Sequence, residues 1–288
     1  MRTQELAPAK INLALDILGR RADGYHELRM VMQTVSLCDV ITVEEGGTGF
    51  TLLTGEAFSL PADKVSMEQR AAEAFFAALG VPVPPLTVRL EKNIPAFAGL
   101  GGGSADVAAL LRCLRRLYAA GMPDEALRAI GLTVGSDVPF CVSGGTSLAE
   151  GRGERLTDLP PLPVCQIVLC KPDFGISTPE LFVLADGAVL SKRPDIAGLT
   201  AALQGGERTG VTDRLCNVFE EFLPERYQEV FRIKEILLAH GALNAAMSGS
   251  GPTVYGIFES AAEAQRAAEV LKKSYQQTYV AKPVKKLV

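Results

Sequence analysis

A chain of 288 residues, 48% hydrophobic and 22% charged, has a globular composition and length enough for two domains of ordinary size. Its net charge of −4, with no block of like charges, excludes the footprint of a nucleic-acid-binding protein, so an anionic ligand has to be met by local groups. No run approaches the roughly 18 apolar residues of a membrane span, and Met1-Arg2-Thr3-Gln4-Glu5 lacks the apolar core of a signal peptide, which makes the cytoplasm the expected location.

The first element is a strand over Ala7 to Ile17. Ile11, Leu13, Leu15 and Ile17 fall on one face, and Lys10, Asn12, Ala14 and Asp16 on the other. Lys10 and Asn12 are therefore neighbours, either as a solvated outward pair or as part of a site. A loop follows from Arg20 to Leu28, turned at Asp23-Gly24, where Tyr25 and His26 offer adjacent planar rings or plain surface. Val31, Gln33, Val35 and Leu37 alternate, Asp39 to Val43 reads as another strand, and Gly46 to Gly55 as a hairpin region. Asp63 to Leu79 has helical periodicity through Val65, Ala72, Phe75, Phe76 and Leu79, and stops at Gly80 and Pro82. Leu86 to Leu90 alternates as a strand.

The stretch from Pro95 to Asp106 dominates the chain. It carries four glycines in the five positions from Gly99 to Gly103, and Val107, Leu110, Leu111, Leu114, Leu117 and Tyr118 then recur at helical spacing. Strand, glycine-rich loop and helix N-terminus together make a cradle for phosphate, because free N–H groups point outward and the helix dipole favours an anion. The common motifs do not apply: no Lys follows the glycines, and Asp106 stands where a dinucleotide fingerprint needs its third Gly. A nucleoside-triphosphate loop of a third type is the sharper reading, and a flexible turn the plainer one.

Asp124 to Ile130 is a short helix. In Thr133 to Phe140, Pro139 pushes Val138 towards an extended conformation, so Asp137 sits at an abrupt change of direction, as a cap or as a free carboxylate. Val142 to Ala149 reads as a strand whose Gly144-Gly145 pair marks a place where something approaches closely. Gly151-Arg152-Gly153 and the proline-rich Leu159 to Pro163 suggest two domains, 1–150 and 151–288. The second half opens with a buried-type strand, Val164 to Cys170, and a helix start at Gly175 to Pro179. Asp186 to Asp213 is the least legible part. An amphipathic helix, Glu225 to His240, is closed by Gly241. Ser248-Gly249-Ser250-Gly251, followed by Pro252 and Thr253, is a second backbone-rich anion cradle leading into the strand Val254 to Phe258. A helix (Ala261 to Lys273) and a strand (Tyr279 to Val284) complete a ferredoxin-type β-α-β pattern, and the whole reads as α+β. The six cysteines form no C-x-x-C pair and have only His26 and His240 to assist them, so zinc is not expected. Most of them read as small core residues of a reducing compartment, and two histidines leave little room for a Ser-His-acid triad.

Three motifs, in order along nearly the whole chain, resemble the GHMP kinase superfamily: Pro8-Ala9-Lys10-Ile11-Asn12-Leu13, the Pro95 to Asp106 loop and the Ser248 to Thr253 loop. Arg21 to Leu28, the Gly-Leu-Gly-Gly-Gly-Ser form of the loop and Ser136 to Phe140 are most similar to one branch of it. Members of that branch phosphorylate the 2-hydroxyl of a cytidine-diphosphate-bearing methylerythritol with ATP, in the non-mevalonate isoprenoid route. The resemblance implies an α+β, two-domain GHMP kinase fold, with an N-terminal ribosomal-protein-S5-like domain, a C-terminal ferredoxin-like domain and the active site in the cleft between them. It implies Asp137 as base for the substrate hydroxyl and Lys10 as its charged neighbour. The triphosphate is expected along Pro95, Ala96, Phe97, Ala98, Gly99, Leu100, Gly101, Gly102, Gly103, Ser104 and Ala105. Substrate contacts are expected from Asn12, Tyr25, His26 and Phe182, the last three around the cytosine.

ATP and Mg²⁺ are the expected cofactors, Ser104 being a candidate metal contact. The expected partner is a small molecule rather than nucleic acid or membrane, and the expected state a monomer or weak homodimer. Such a site is chemically sufficient, since phosphoryl transfer needs mainly positioning and charge stabilisation. Two positions depart from the common pattern: Ala105 replaces a second Ser, and Ser66-Met67 stand where Asn-Leu is usual before Arg70-Ala71-Ala72. A kinase of another small alcohol and a catalytically silent ligand-binding protein are the other readings of such a fold. The presence of both Lys10 and Asp137 argues against the silent one.

Overall fold

Two long strands, β1 (Arg2–Arg20) and β2 (His26–Glu45), grow from the alternating N-terminal pattern and pair antiparallel. The structure, a computed structural model, describes residues 1–55 and 65–287. The segments expected as separate strands at Val31 and Asp39 are one continuous β2. The alternation in β1 does not produce an outward face: every residue from Ala7 to Ile17 is buried. Register shifts between Pro8 and Lys10, Asn12 and Ala14, and Ile17 and Gly19 bend and twist the strand. A helix covers one of its sides and the second half of the chain closes the other, with the Tyr255 hydroxyl donating to the Asn12 carbonyl at 2.8 Å.

β3 (Phe50–Thr54) is followed, beyond residues 56–64, by α1 (Met67–Leu79) and β4 (Leu86–Glu91). β3 and β4 pair in parallel, so Gly46 to Gly55 is not a hairpin but one side of a crossover through α1. The Ser66 hydroxyl caps α1 by accepting from the Gln69 amide at 3.0 Å. Asp63 and Lys64, predicted as part of this helix, lie outside the described residues. Next come α2 (Gly102–Tyr118), α3 (Asp124–Leu132) and α4 (Val138–Ser143). Val138 is helical, not extended, because Pro139 falls in the first turn of α4, where its missing N–H is not needed. The strand predicted from Val142 begins only at β5 (Thr146–Gly151), which forms a hairpin with β6 (Arg155–Leu159). The first sheet runs β3-β4-β2-β1-β8, where β8 is Cys216–Asn217, with β5 and β6 branching from β2. A division at residue 150 therefore falls within this sheet, inside the β5–β6 hairpin.

The second sheet has the order β11-β7-β10-β9, made from β7 (Gln166–Lys171), β9 (Asn244–Met247), β10 (Val254–Phe258) and β11 (Gln277–Ala281). All its pairs are antiparallel. α8 (Glu229–Ala239) and α9 (Ala261–Lys272) pack on it, which completes a ferredoxin-like β-α-β-β-α-β unit. Between β7 and β8, α5 (Thr178–Gly187) begins at the predicted helix start, and the poorly legible stretch contains α6 (Ile196–Gly205) and α7 (Arg208–Thr212). The strand predicted over Tyr279 to Val284 ends at Ala281, and residues 282–287 cross back to the first sheet, bridging Val35 and Gly144. All six thiols are free, and burial pushes that of Cys141 up to about 12. Among the described residues no helix is long and apolar enough to cross a membrane.

Candidate active site

A cleft of about 1320 Å³ runs from Lys10 and Asn12 on β1, past the glycine-rich loop and Asp137, to Tyr25, His26 and Phe182. Lys10 is buried (5% exposed); its Nζ donates to Asn12 Oδ1 at 2.8 Å and lies 3.5 Å from Asp137 Oδ2. Asp137 precedes α4 at the N-cap position, yet its side chain makes no capping bond. The carboxylate faces Lys10 with 30% of the side chain open to the cleft. Of the two roles open to this Asp in the sequence, the side-chain cap is not used.

The glycine-rich stretch is part loop and part helix. Gly102, Gly103, Ser104 and Ala105 form the first turn of α2, with Gly101 as N-cap at φ 69°. No side chain caps this end and no acid lies in its first turn, so its free amides and the positive end of the dipole are left to a ligand. Gly99, at φ +73°, meets the second glycine loop directly. A β-carbon there would lie 2.1 Å from the Ser248 carbonyl oxygen, so only glycine fits. The Ser248 hydroxyl donates to the Gly99 carbonyl at 2.9 Å, and the Thr253 amide to that of Ala98 at 3.3 Å. The Lys10 amide donates to the Leu100 carbonyl at 2.9 Å, which ties the loop to β1.

Gly249, Ser250 and Gly251 reach the cleft wall, whereas Ser248 and Ala105 are buried behind it. Pro95, Ala96, Phe97, Ala98 and Ser104 line the cleft, Phe97 with its ring largely exposed. At the far end, His26 stacks on Phe182 with ring centroids 4.6 Å apart, and its Nε2 lies 2.7 Å from Asp186 Oδ1. The ring of Tyr25 faces the guanidinium of Arg152 at 4.4 Å and not Phe182. The three predicted base contacts thus share one wall, with His26 rather than Tyr25 against Phe182.

Several residues at the site had no motif to mark them. Asn217 Nδ2 donates to the carbonyls of Met247 and Gly249, both at 2.8 Å, and so shapes the second loop. Its only signal was a polar residue in the apolar run from Leu215 to Phe219. Lys92 pairs with Asp39 and, at 2.7 Å, with Asp106 Oδ2. Burial pushes the Asp106 carboxyl up to about 8, against the pull of Lys92 and helped by the charge of Asp39. Among the described residues its Oδ1 has no hydrogen-bond partner. Asp186 and Arg152 came from stretches that read only as irregular chain. Among the described residues no group of three or more His, Cys, Asp or Glu is placed to hold a metal ion.

Comparison with known proteins adds names to this geometry. The family model described as GHMP kinases N terminal domain matches residues 67–145, and that described as GHMP kinases C terminal matches residues 200–277. A 4-diphosphocytidyl-2-C-methyl-D-erythritol kinase of Pelotomaculum thermopropionicum is 42% identical over 275 residues, covering 96% of each chain. The kinase of the same name from Caldicellulosiruptor bescii is 40% identical over 266 residues, 92% of this chain and 93% of the relative. The crystal structure of a 4-(cytidine 5'-diphospho)-2C-methyl-D-erythritol kinase superposes with a TM-score of 0.82 at 33% identity, covering 98% of this chain and 99% of that one.

Proposed function

The chain belongs to the 4-diphosphocytidyl-2-C-methyl-D-erythritol kinases of the GHMP kinase family, and on that footing we propose that it transfers the terminal phosphoryl group of ATP to the 2-hydroxyl of 4-diphosphocytidyl-2-C-methyl-D-erythritol. The products are the 2-phosphate and ADP, in the non-mevalonate route to isoprenoid precursors. The observation that carries this reading is the Lys10–Asp137 pair, 3.5 Å apart on the cleft wall beside an uncapped helix N-terminus.

In this reading Asp137 accepts the proton of the 2-hydroxyl, and the Lys10 ammonium stands where negative charge gathers on that oxygen as the proton leaves. Asn12 holds Lys10 in place through its 2.8 Å bond and faces the substrate. The stretch from Pro95 to Ser104 takes the triphosphate, its glycines letting backbone amides come close to the phosphate oxygens, while Ala105, whose amide donates to the Gly101 carbonyl at 2.9 Å, stands behind it. Mg²⁺ bound with a nucleotide uses only one or two protein groups and keeps several waters. The Ser104 hydroxyl, on the cleft wall in the first turn of α2, suits that limited role. When bound, the ion neutralises charge on the phosphate oxygens. Tyr25 and the stacked His26–Phe182 pair offer aromatic surface to the cytosine, while Gly249 and Ser250 present further amides to the substrate's diphosphate. The partners are small molecules, and the enzyme works in the cytoplasm as a monomer or weak homodimer.

Phosphorus NMR of reactions containing ATP, Mg²⁺ and one acceptor each tests the assignment. A new phosphomonoester signal is expected with the diphosphocytidyl substrate and not with mevalonate or homoserine. Turnover of another alcohol with none of the diphosphocytidyl compound would refute it.

A further inference from the structure

α4 follows Asp137 and is a helix of 6 residues. So short a helix has no stability of its own; its six residues are all buried, and its placement is set by packing against α2 and α3 together with what bonds its ends. The leading end has no side-chain cap. At the trailing end every terminal carbonyl is taken. That of Phe140 accepts from the Gly144 amide at 2.7 Å, those of Cys141 and Val142 from Arg112 Nη1 at 2.8 and 3.4 Å, and that of Ser143 from the Leu287 amide at 2.8 Å.

Arg112, on α2, is 5% exposed. Its other terminal nitrogen, Nη2, donates to the carbonyl of Leu6 on β1 at 2.8 Å. One planar guanidinium thus bonds the helix behind Asp137 to the strand that carries Lys10. Such a fork can fix two backbones at a set angle, as an apolar side chain cannot. The Gly144-Gly145 pair completes the anchor. What approaches it closely is the chain's own segment 282–287: a β-carbon on Gly144 would lie 2.6 Å from Leu287 Cγ, and Lys286 bridges to Gly144. Farther along, the Val284 amide donates to the Thr34 carbonyl at 2.8 Å.

We propose that Arg112, assisted by the Leu287 amide, is a positioning residue for phosphoryl transfer: it locks α4 to β1 so that the Asp137 carboxylate stays beside Lys10. The proposal rests on Asp137 being the proton acceptor. A displacement of about 1 Å at a reacting group costs up to roughly 10²-fold in rate, so a loosened α4 registers in kcat.

The test measures kcat, both KM values and melting temperature for Arg112→Met, Arg112→Lys and Leu287→Pro, each also combined with Asp137→Asn. Arg112→Met is expected to lower kcat by roughly 10- to 100-fold with the ATP KM within about threefold of wild type. Arg112→Lys should recover part of the loss, since an ammonium can still reach one carbonyl. Leu287→Pro removes one donor, should lower kcat several-fold, and decides the matter if Arg112→Met does not fold. In the Asp137→Asn background the further loss should vanish, because the effect runs through that carboxylate. A folded Arg112→Met or Leu287→Pro enzyme with wild-type kcat, or an equal loss in the Asp137→Asn background, overturns the positioning role. Normal turnover by Asp137→Asn alone overturns instead the proton-acceptor assignment on which that role depends.

Discussion

Replacing Gly99 with Ala tests whether the two glycine loops act as one cradle. The new β-carbon would lie 2.1 Å from the Ser248 carbonyl oxygen, 2.9 Å from the Gly251 nitrogen and 3.0 Å from the Gly251 oxygen. All three are backbone atoms and cannot rotate away. The left-handed φ of +73° costs an L-residue about 1–2 kcal/mol, and forcing packed backbone apart costs about 1–3 kcal/mol more. The sum, about 2–5 kcal/mol, corresponds to a fall in melting temperature of roughly 4–20 °C, at about 2–4 °C per kcal/mol for a chain of nearly this size. Relieving the clash pulls the Ser248 hydroxyl off the Gly99 carbonyl, now at 2.9 Å, and opens the cradle beside Lys10. The ATP KM should therefore rise by roughly tenfold, which about 1.4 kcal/mol of lost binding suffices to produce. Gly103→Ala is the control: its β-carbon would meet only Met67 Sδ, at 3.5 Å, and a helical Ala is favoured over Gly by about 1 kcal/mol. It should melt no lower than wild type, whatever it does to ATP. Thermal melts with and without Mg-ATP, alongside steady-state kinetics, read both effects. A Gly99→Ala protein with wild-type melting temperature and ATP KM would refute the argument.

Asp137→Asn and Lys10→Met are each expected to lower kcat by roughly 10²-fold or more while ATP still binds, as isothermal calorimetry can check; near-normal turnover would remove the role assigned to that residue. Phe182→Ala loses the stack on His26 and an edge contact with Phe219 at 5.3 Å. Two aromatic pairs at about 0.5–1.5 kcal/mol each predict a stability loss of about 1–3 kcal/mol, with the diphosphocytidyl KM raised about tenfold and the ATP KM unchanged. A large drop in melting temperature with unaltered substrate KM would make Phe182 a core residue only. The Asp106 carboxyl, raised to about 8 from 3.8, binds its proton more tightly in the folded chain, so its contribution to stability is present in acid and is lost as pH rises towards and through 8. Asp106→Asn should remove that slope, and urea melts from pH 5 to 9 running parallel for the two proteins would disprove it.

The features legible in the sequence are those whose physics is local. A glycine cluster ahead of a 3.6-residue apolar repeat announces a backbone cradle on a helix start, and α2 begins inside that cluster. Gly80 closes α1 where the sequence placed its stop, by capping chemistry that spans only a turn. The order of the three motifs was enough to identify a two-domain GHMP kinase fold. What the sequence left open turned on partners far away along the chain. Lys10, Asn12 and Asp16 have the same alternating pattern whether they face water or a covered site. They are buried because α2 and the second half of the chain close over β1, where Arg193 reaches Asp16 at 2.8 Å. Pro139 reads locally as a bar to helix, yet it opens α4, whose trailing carbonyls Arg112 and Leu287 satisfy from outside. Gly144-Gly145 announced a close approach without naming the visitor, which arrives from residues 282–287. A polar side chain or a short helix has nearly equal local choices. The few kcal/mol that separate them come from hydrogen bonds and burial supplied by distant segments, which exist only once the chain has closed on itself.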